Sequence, residues 1–190
     1  AVCNHDGKLD VLESLTSLVN NSLLRREEAA DGESRFGMLE TIRAYALERL
    51  AAGGEMETWR AQHALYFGDC VTNQIGFQLY TAKASYCLNW LEREHDNIRA
   101  TLTWCLATAG GVQLAAGMVS ILFWFWYRRG YTIEGAMWAD RLLAAPSMQA
   151  PSPARVMVMF ASGSSLSPVG EQQQSGVDGV VLHAASFSGR

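Results

Sequence analysis

The chain has 190 residues and a mass of 20.9 kDa, enough for one ordinary domain or two small ones with a real core. Hydrophobic residues make up 49% and charged residues 18%, a globular composition, and the formal charge of −4 argues against a general polyanion binder. The charge is uneven: up to Arg99 there are 10 basic and 15 acidic residues, and the remaining 91 positions carry only 5 and 4.

The chain opens at Ala1 without a methionine or a basic-then-apolar leader, and reads as a fragment or processed product lacking a signal peptide. Cys3, Cys70, Cys87 and Cys105 show no CxxC pair, so a reduced, cytoplasmic protein is expected rather than a disulfide framework. Within Leu9 to Glu27, Asp10 is a good N-cap with Glu13 three residues on. Val11, Leu12, Leu15, Leu18 and Val19 then share a helix face that ends at Asn20-Asn21. Two strands are expected at Ser22–Arg26 and Arg35–Leu39, around a turn at Asp31-Gly32. A helix from Leu39 carries Ile42, Ala46 and Leu50 on one side and stops at Gly53-Gly54. Helix, strand, wing-like loop, strand is the order of a winged helix.

Beyond the glycines the pattern is wholly helical. Trp59, His63, Tyr66, Phe67 and Cys70 share a face. One helix from about Lys83 to Thr108 directs Cys87, Leu91, Ile98, Leu102 and Cys105 inward, with Glu92 to Arg99 as a solvated stripe. The chargeless run between Arg99 and Arg128 has the length of a membrane span. Gly110-Gly111 divides it and polar residues dilute it, so two packed helices are expected instead. The aromatics at 123–127 point all round a helix, which suits burial between helices better than base stacking or a membrane belt. Arg128-Arg129-Gly130 ends that helix, and Thr132 caps the next, Ile133 to Ala145.

The fold class expected is therefore mainly α: a winged helix with a small β-hairpin, followed by an antiparallel helical-repeat array. The divisions are 1–53 for the winged helix, 54–145 for the helical domain, and 146–190 for a poorly ordered tail rich in Ser, Gly and Pro. All four prolines fall within the 23 positions from Pro146 to Pro168, although Ala154 to Ala161 has the makings of a further helix.

Tests for chemistry give nothing catalytic. GxxxxGK[ST], GxGxxG and GxSxG are absent. Glu92 and His95 form a single Glu-x-x-His, which without a second copy reads as a solvated or locally bonded pair and not a metal site. No catalytic residue, metal or cofactor is assigned to this chain. DNA is an unlikely partner on charge: residues 1–50 hold six basic and nine acidic groups, and the helix before the hairpin has no basic residue. Arg25, Arg26 and Arg35 are the interface candidates, able to contact an anion locally; pairing with Glu27 or Glu28 is the plainer reading.

The strings LDVLESLTSLVNNSLLRRE, RFGMLETIRAYALERL, WLEREHDNIRATLTWCL and FWFWYRRGYTIEGAMWADRLLA resemble the middle of large bacterial regulatory proteins, the signal-transduction ATPases with numerous domains. The resemblance runs from about Val2 to Ala145. It implies a P-loop ATPase module upstream as partner, ATP and ADP as that module's ligands, and tetratricopeptide-like repeats that take a protein or small-molecule ligand. This chain then serves as a non-catalytic coupler in transcriptional regulation, without membrane contact. In related switches a Met-His-Asp motif follows the hairpin and touches the ADP phosphate; here the place reads Met38-Leu39-Glu40, which leaves Glu40 and Arg43 as the nucleotide-sensing candidates. Two other readings are a DNA-binding winged helix with a helical sensor domain, and a membrane-anchored helical protein.

Overall fold

A computed structural model describes residues 10–28 and 34–165 of the chain. Within them the fold is mainly α-helical, with a small hairpin near its beginning and several helices after it. Helix α1 (Val11–Asn20) starts where expected: the Asp10 carboxylate accepts the Glu13 N–H at 2.9 Å, satisfying one of the helix's open donors. Its end decides where the hairpin begins. Ser22 takes a left-handed conformation (φ 58°), and the N–H groups of Leu23 and Leu24 return to the Leu18 carbonyl. Those residues belong to the helix cap, so strand β1 is Arg25–Glu28 and not Ser22–Arg26. Strand β2 is Ser34–Gly37, antiparallel, with Arg26 opposite Phe36 and Glu27 opposite Arg35. The turn expected at Asp31-Gly32 lies outside the described residues.

Helix α2 (Glu40–Ala52) half-buries Ile42, Ala46, Leu47 and Leu50, and Gly54 at φ 71° turns the chain after it. Helix α3 (Met56–Asp69) runs directly into a π-helical turn, Cys70–Ile75, and a 3-10 turn, Phe77–Tyr80. The single helix expected over Lys83–Thr108 is two, α4 (Ala84–Arg93) and α5 (His95–Ala107), separated at Glu94. All five residues expected inward are buried: Cys87, Leu91, Ile98, Leu102 and Cys105. The apolar period continues through the bend, which is why the sequence conceals it.

Helix α6 (Val112–Arg129) is the centre of the core, packed against α5, the π-helical turn, and the two helices that follow it. Met118, Val119, Leu122, Phe125 and Trp126 are all buried, so apolar residues surround it almost completely. Of the aromatic run, Phe125 and Trp126 are in the core, whereas Trp124 and Tyr127 are 37% and 50% exposed. The chargeless run is divided at Gly110-Gly111. Among the described residues no helix is long and apolar enough to cross a membrane. At Gly111 an added Cβ would sit 2.4 Å from the Cys105 carbonyl oxygen, so only glycine lets the turn lie this close to α5.

Gly130, left-handed at φ 79°, ends α6, and the Tyr131 N–H reaches the Trp126 carbonyl at 2.8 Å. Helix α7 (Thr132–Leu143) begins one residue before the expected point, with Tyr131 and not Thr132 at the cap. Beyond Ala145, where composition suggests a loose tail, the chain makes a 3-10 turn, Pro146–Met148, and helix α8 (Pro153–Ser165). Met148 and Val158 are fully buried, and α8 packs on α6 and α7. Residues 166–190 lie outside the described part.

Candidate nucleic-acid interface

Helix α1 buries none of its residues. Glu13, Thr16, Ser17 and Asn20 recur at helical spacing along one exposed stripe. Immediately after it, Arg25 and Arg26 lie exposed on β1. Arg35, on the opposite strand, is only 40% exposed and is held from outside the hairpin: its guanidinium donates to the Glu94 carboxylate and, at 3.4 Å, to the Arg93 carbonyl. The second strand of the wing is thereby tied to the bend between α4 and α5.

That bend opens onto a polar network that replaces the expected solvated stripe. Glu92 accepts the Tyr131 hydroxyl and lies 3.5 Å from the Arg129 guanidinium. His95 is 7% exposed and packed between rings, with centroids 5.1 Å from Phe125 and 4.7 Å from Tyr131. Its Nε2 is 3.2 Å from Glu134 Oε1, outside hydrogen-bond geometry. Arg99 grips Glu134 with two bonds, Nε to Oε1 at 2.8 Å and Nη2 to Oε2 at 2.6 Å, and reaches Asp96 at 2.9 Å. The Trp138 indole also donates to Glu134, at 3.2 Å. Burial pushes the Glu134 carboxyl up, but the Arg99 and Trp138 hydrogen bonds and the nearby positive charge outweigh it and leave it below the usual carboxylate range. The hydrogen bonds that Arg99 donates to Glu134, against opposition from burial, raise its already high value.

Glu92 and His95 thus turn to different partners and do not converge. Among the described residues no group of three potential ligands could hold a metal ion. His63 behaves as a packing residue, its Nε2 3.2 Å from Asn97 Oδ1 and its ring 4.7 Å from Phe67. Glu40 and Arg43 form an exposed pair 3.6 Å apart on α2. The sequence reading missed the polar stripe of α1, although its spacing was legible. It also missed Glu94 and Glu134 as partners of Arg35 and Arg99, 59 and 35 residues away, for which no local pattern exists.

Comparison with known proteins identifies the class to which the first part of this fold is similar. Residues 1–51 match the family model described as a winged helix-turn-helix domain. Three curated relatives, named as HTH-type transcriptional regulators in Mycobacterium bovis and two strains of Mycobacterium tuberculosis, are each 32% identical over 138 residues. The alignment covers 70% of this chain, and the chain spans only 14% of each relative. No solved structure matches.

These findings correct several expectations. The resemblance to signal-transduction ATPases is replaced by likeness to winged-helix transcriptional regulators, and the reading as the coupler of a nucleotide-switched ATPase falls with it. The upstream ATPase partner loses its support. The tetratricopeptide label has none either, because the matched family model ends at residue 51. The exclusion of DNA is overturned as well. It rested on summed charge, and a sum ignores position: many phosphate contacts come from Ser, Thr and Asn side chains and backbone N–H groups, with a few well-placed arginines. The curated relatives are themselves named as regulators and not as enzymes.

Proposed function

We propose that the chain is the winged-helix and adjoining helical segment of a cytoplasmic transcriptional regulator that binds duplex DNA. The observation that carries the reading is α1: a helix directly before a hairpin, half-covered on its Leu15, Leu18 and Val19 side, with an exposed polar stripe along it and arginines on the next strand. In this reading α1 enters the major groove. Glu13 has the chemistry to accept from cytosine, Asn20 to pair with adenine, and Ser17 to serve either. Arg25 and Arg26 meet the phosphates at the groove's edge. Helices α3–α8 form the sensor, built around α6, on which α7 and α8 both pack.

The test is fluorescence anisotropy of the full chain with a random-sequence duplex pool, followed by selection of bound sequences. Binding should weaken steeply with salt, and Arg25→Gln should lower the log–log salt slope by about one. Binding that does not respond to salt, or no binding at low salt, would overturn the reading.

A further inference from the structure

Three elements bring aromatic rings to one side of the helical part. Tyr80, at the end of the 3-10 turn after α3, meets Trp124 of α6 edge-on, with ring centroids 6.1 Å apart. Trp124 meets Tyr127 at 6.2 Å, Tyr127 stacks on Phe123 at 6.3 Å, and Phe123 meets Phe160 of α8 at 5.8 Å. The ribbon is unbroken and open to solvent: Tyr80 is 66% and Phe160 65% exposed, and Trp124 and Tyr127 are exposed between them. Single apolar residues are ordinary on a surface, but rings in mutual contact across three elements form a patch, and such patches mark interaction sites.

Beside Trp124 the ribbon borders an open groove of about 330 Å³, lined by Leu79, Tyr80, Leu88 and Arg128 among others. That is the lower limit for a small-molecule site and suits one or two inserted side chains. Charge decides whose side chains these are. Arg128 makes no hydrogen bond or ion pair with any described residue, unlike its neighbour Arg129, which is committed to Glu92 and Asn89. Lys83, exposed at the start of α4, sits in the chain between the groove's Thr81 and Ala84. No carboxylate lines the groove, and α6, α8 and the 3-10 turn contain none. The face is apolar and its charge is of one sign.

We propose that this aromatic ribbon docks an acidic segment of a partner protein. A large apolar side chain of that segment fills the groove beside Trp124, and its carboxylates face Arg128 and Lys83. None of these residues belongs to the winged helix, so the inference goes beyond the DNA-binding reading and is tested without DNA.

The probes are two fluorescein-labelled peptides that share Trp and Leu at helical spacing and carry either Glu or Lys at every other position. In anisotropy titrations of the full chain, the Glu peptide should bind saturably and at least about tenfold more tightly than the Lys peptide. Arg128→Glu should reverse that preference, and Phe160→Ser should weaken the Glu peptide by about threefold to tenfold. Absence of saturable binding, equal affinity for the two peptides, or unchanged affinity in both variants would overturn the proposal. So would a chain that ignores the Glu peptide but sediments with phosphatidylglycerol vesicles, or one that instead self-associates with rising concentration, since the face would then belong to a lipid surface or to a second copy. The comparison of the two peptides uses only the unaltered chain, so misfolding of a variant cannot obscure it.

Discussion

Glu134 sits 15% exposed on the first turn of α7, and the atoms around it are almost all donors. Arg99 contributes two of them and Trp138 a third, while His95 presses against one carboxylate oxygen. Removing the charge leaves the guanidinium half-solvated and the indole with a weaker acceptor, so Glu134→Gln should cost about 1–3 kcal/mol, discounted because Arg99 is partly in water. The carboxyl's value is lowered by folding. Its contribution is therefore complete above the ordinary value of 4.5 and disappears as pH falls through the lowered folded value. Urea midpoints of the wild-type chain and Glu134→Gln should differ at neutral pH and converge in acid; a constant difference would contradict the assignment. The buried thiols behave in the opposite sense. Burial pushes Cys105 up to about 11, so it remains a protonated, unreactive packing group, free like Cys70 and Cys87.

Among the elements, the join of α5 to α6 is the most demanding. Gly111 lies against the backbone of Cys105, where no side-chain rotation can relieve a methyl group. Gly111→Ala should destabilise by about 2–4 kcal/mol, through overpacking against a rigid helix end, and circular dichroism melting would show it as a lower Tm. Gly110, whose Cβ direction is open, should accept alanine with little change and serves as the control. Local chemistry of this kind was readable. The glycine pair, the Asp10 cap and the inward stripe of α4 and α5 all follow from spacing or from backbone need. The start of β1 was not, because Leu23 and Leu24 look like strand residues and are claimed by the Leu18 carbonyl. Nor was the network around Glu134: a charged stripe on a helix looks the same from sequence whether water or a distant helix faces it. The candidate interface was half legible. Its arginines stood out at once, whereas the uncovered polar face of α1 acquires meaning only once the hairpin is placed beside it.

At the scale of the whole molecule the consequential contact is Arg35 with Glu94, a link from the wing to the helical part. It commits one of the wing's arginines to a carboxylate on the protein itself. In the proposed DNA-bound state, phosphate and Glu94 would compete for the same guanidinium, and the bend between α4 and α5 would influence how the wing meets a duplex. Glu94→Gln should raise affinity for duplex DNA by about threefold to tenfold and increase the salt slope by about one, as the released Arg35 engages phosphate. Arg35→Gln in the same background should abolish that gain. Anisotropy titrations over a range of salt measure both, and an unchanged slope in Glu94→Gln would separate the contact from DNA binding.

The π-helical turn after α3 has a geometric effect on all of this. Each residue of an α-helix advances the facing direction by about 100°, so one additional residue wound into a turn shifts the phase of whatever follows by about that angle. Before Cys70 the rod lies against α5; from Cys70 to Ile75 it lies against α6, with Cys70, Val71 and Ile75 buried. A uniformly wound helix would present a single stripe and serve one neighbour well. Changing phase midway lets one continuous length of backbone serve two partners, α5 before Cys70 and α6 after it.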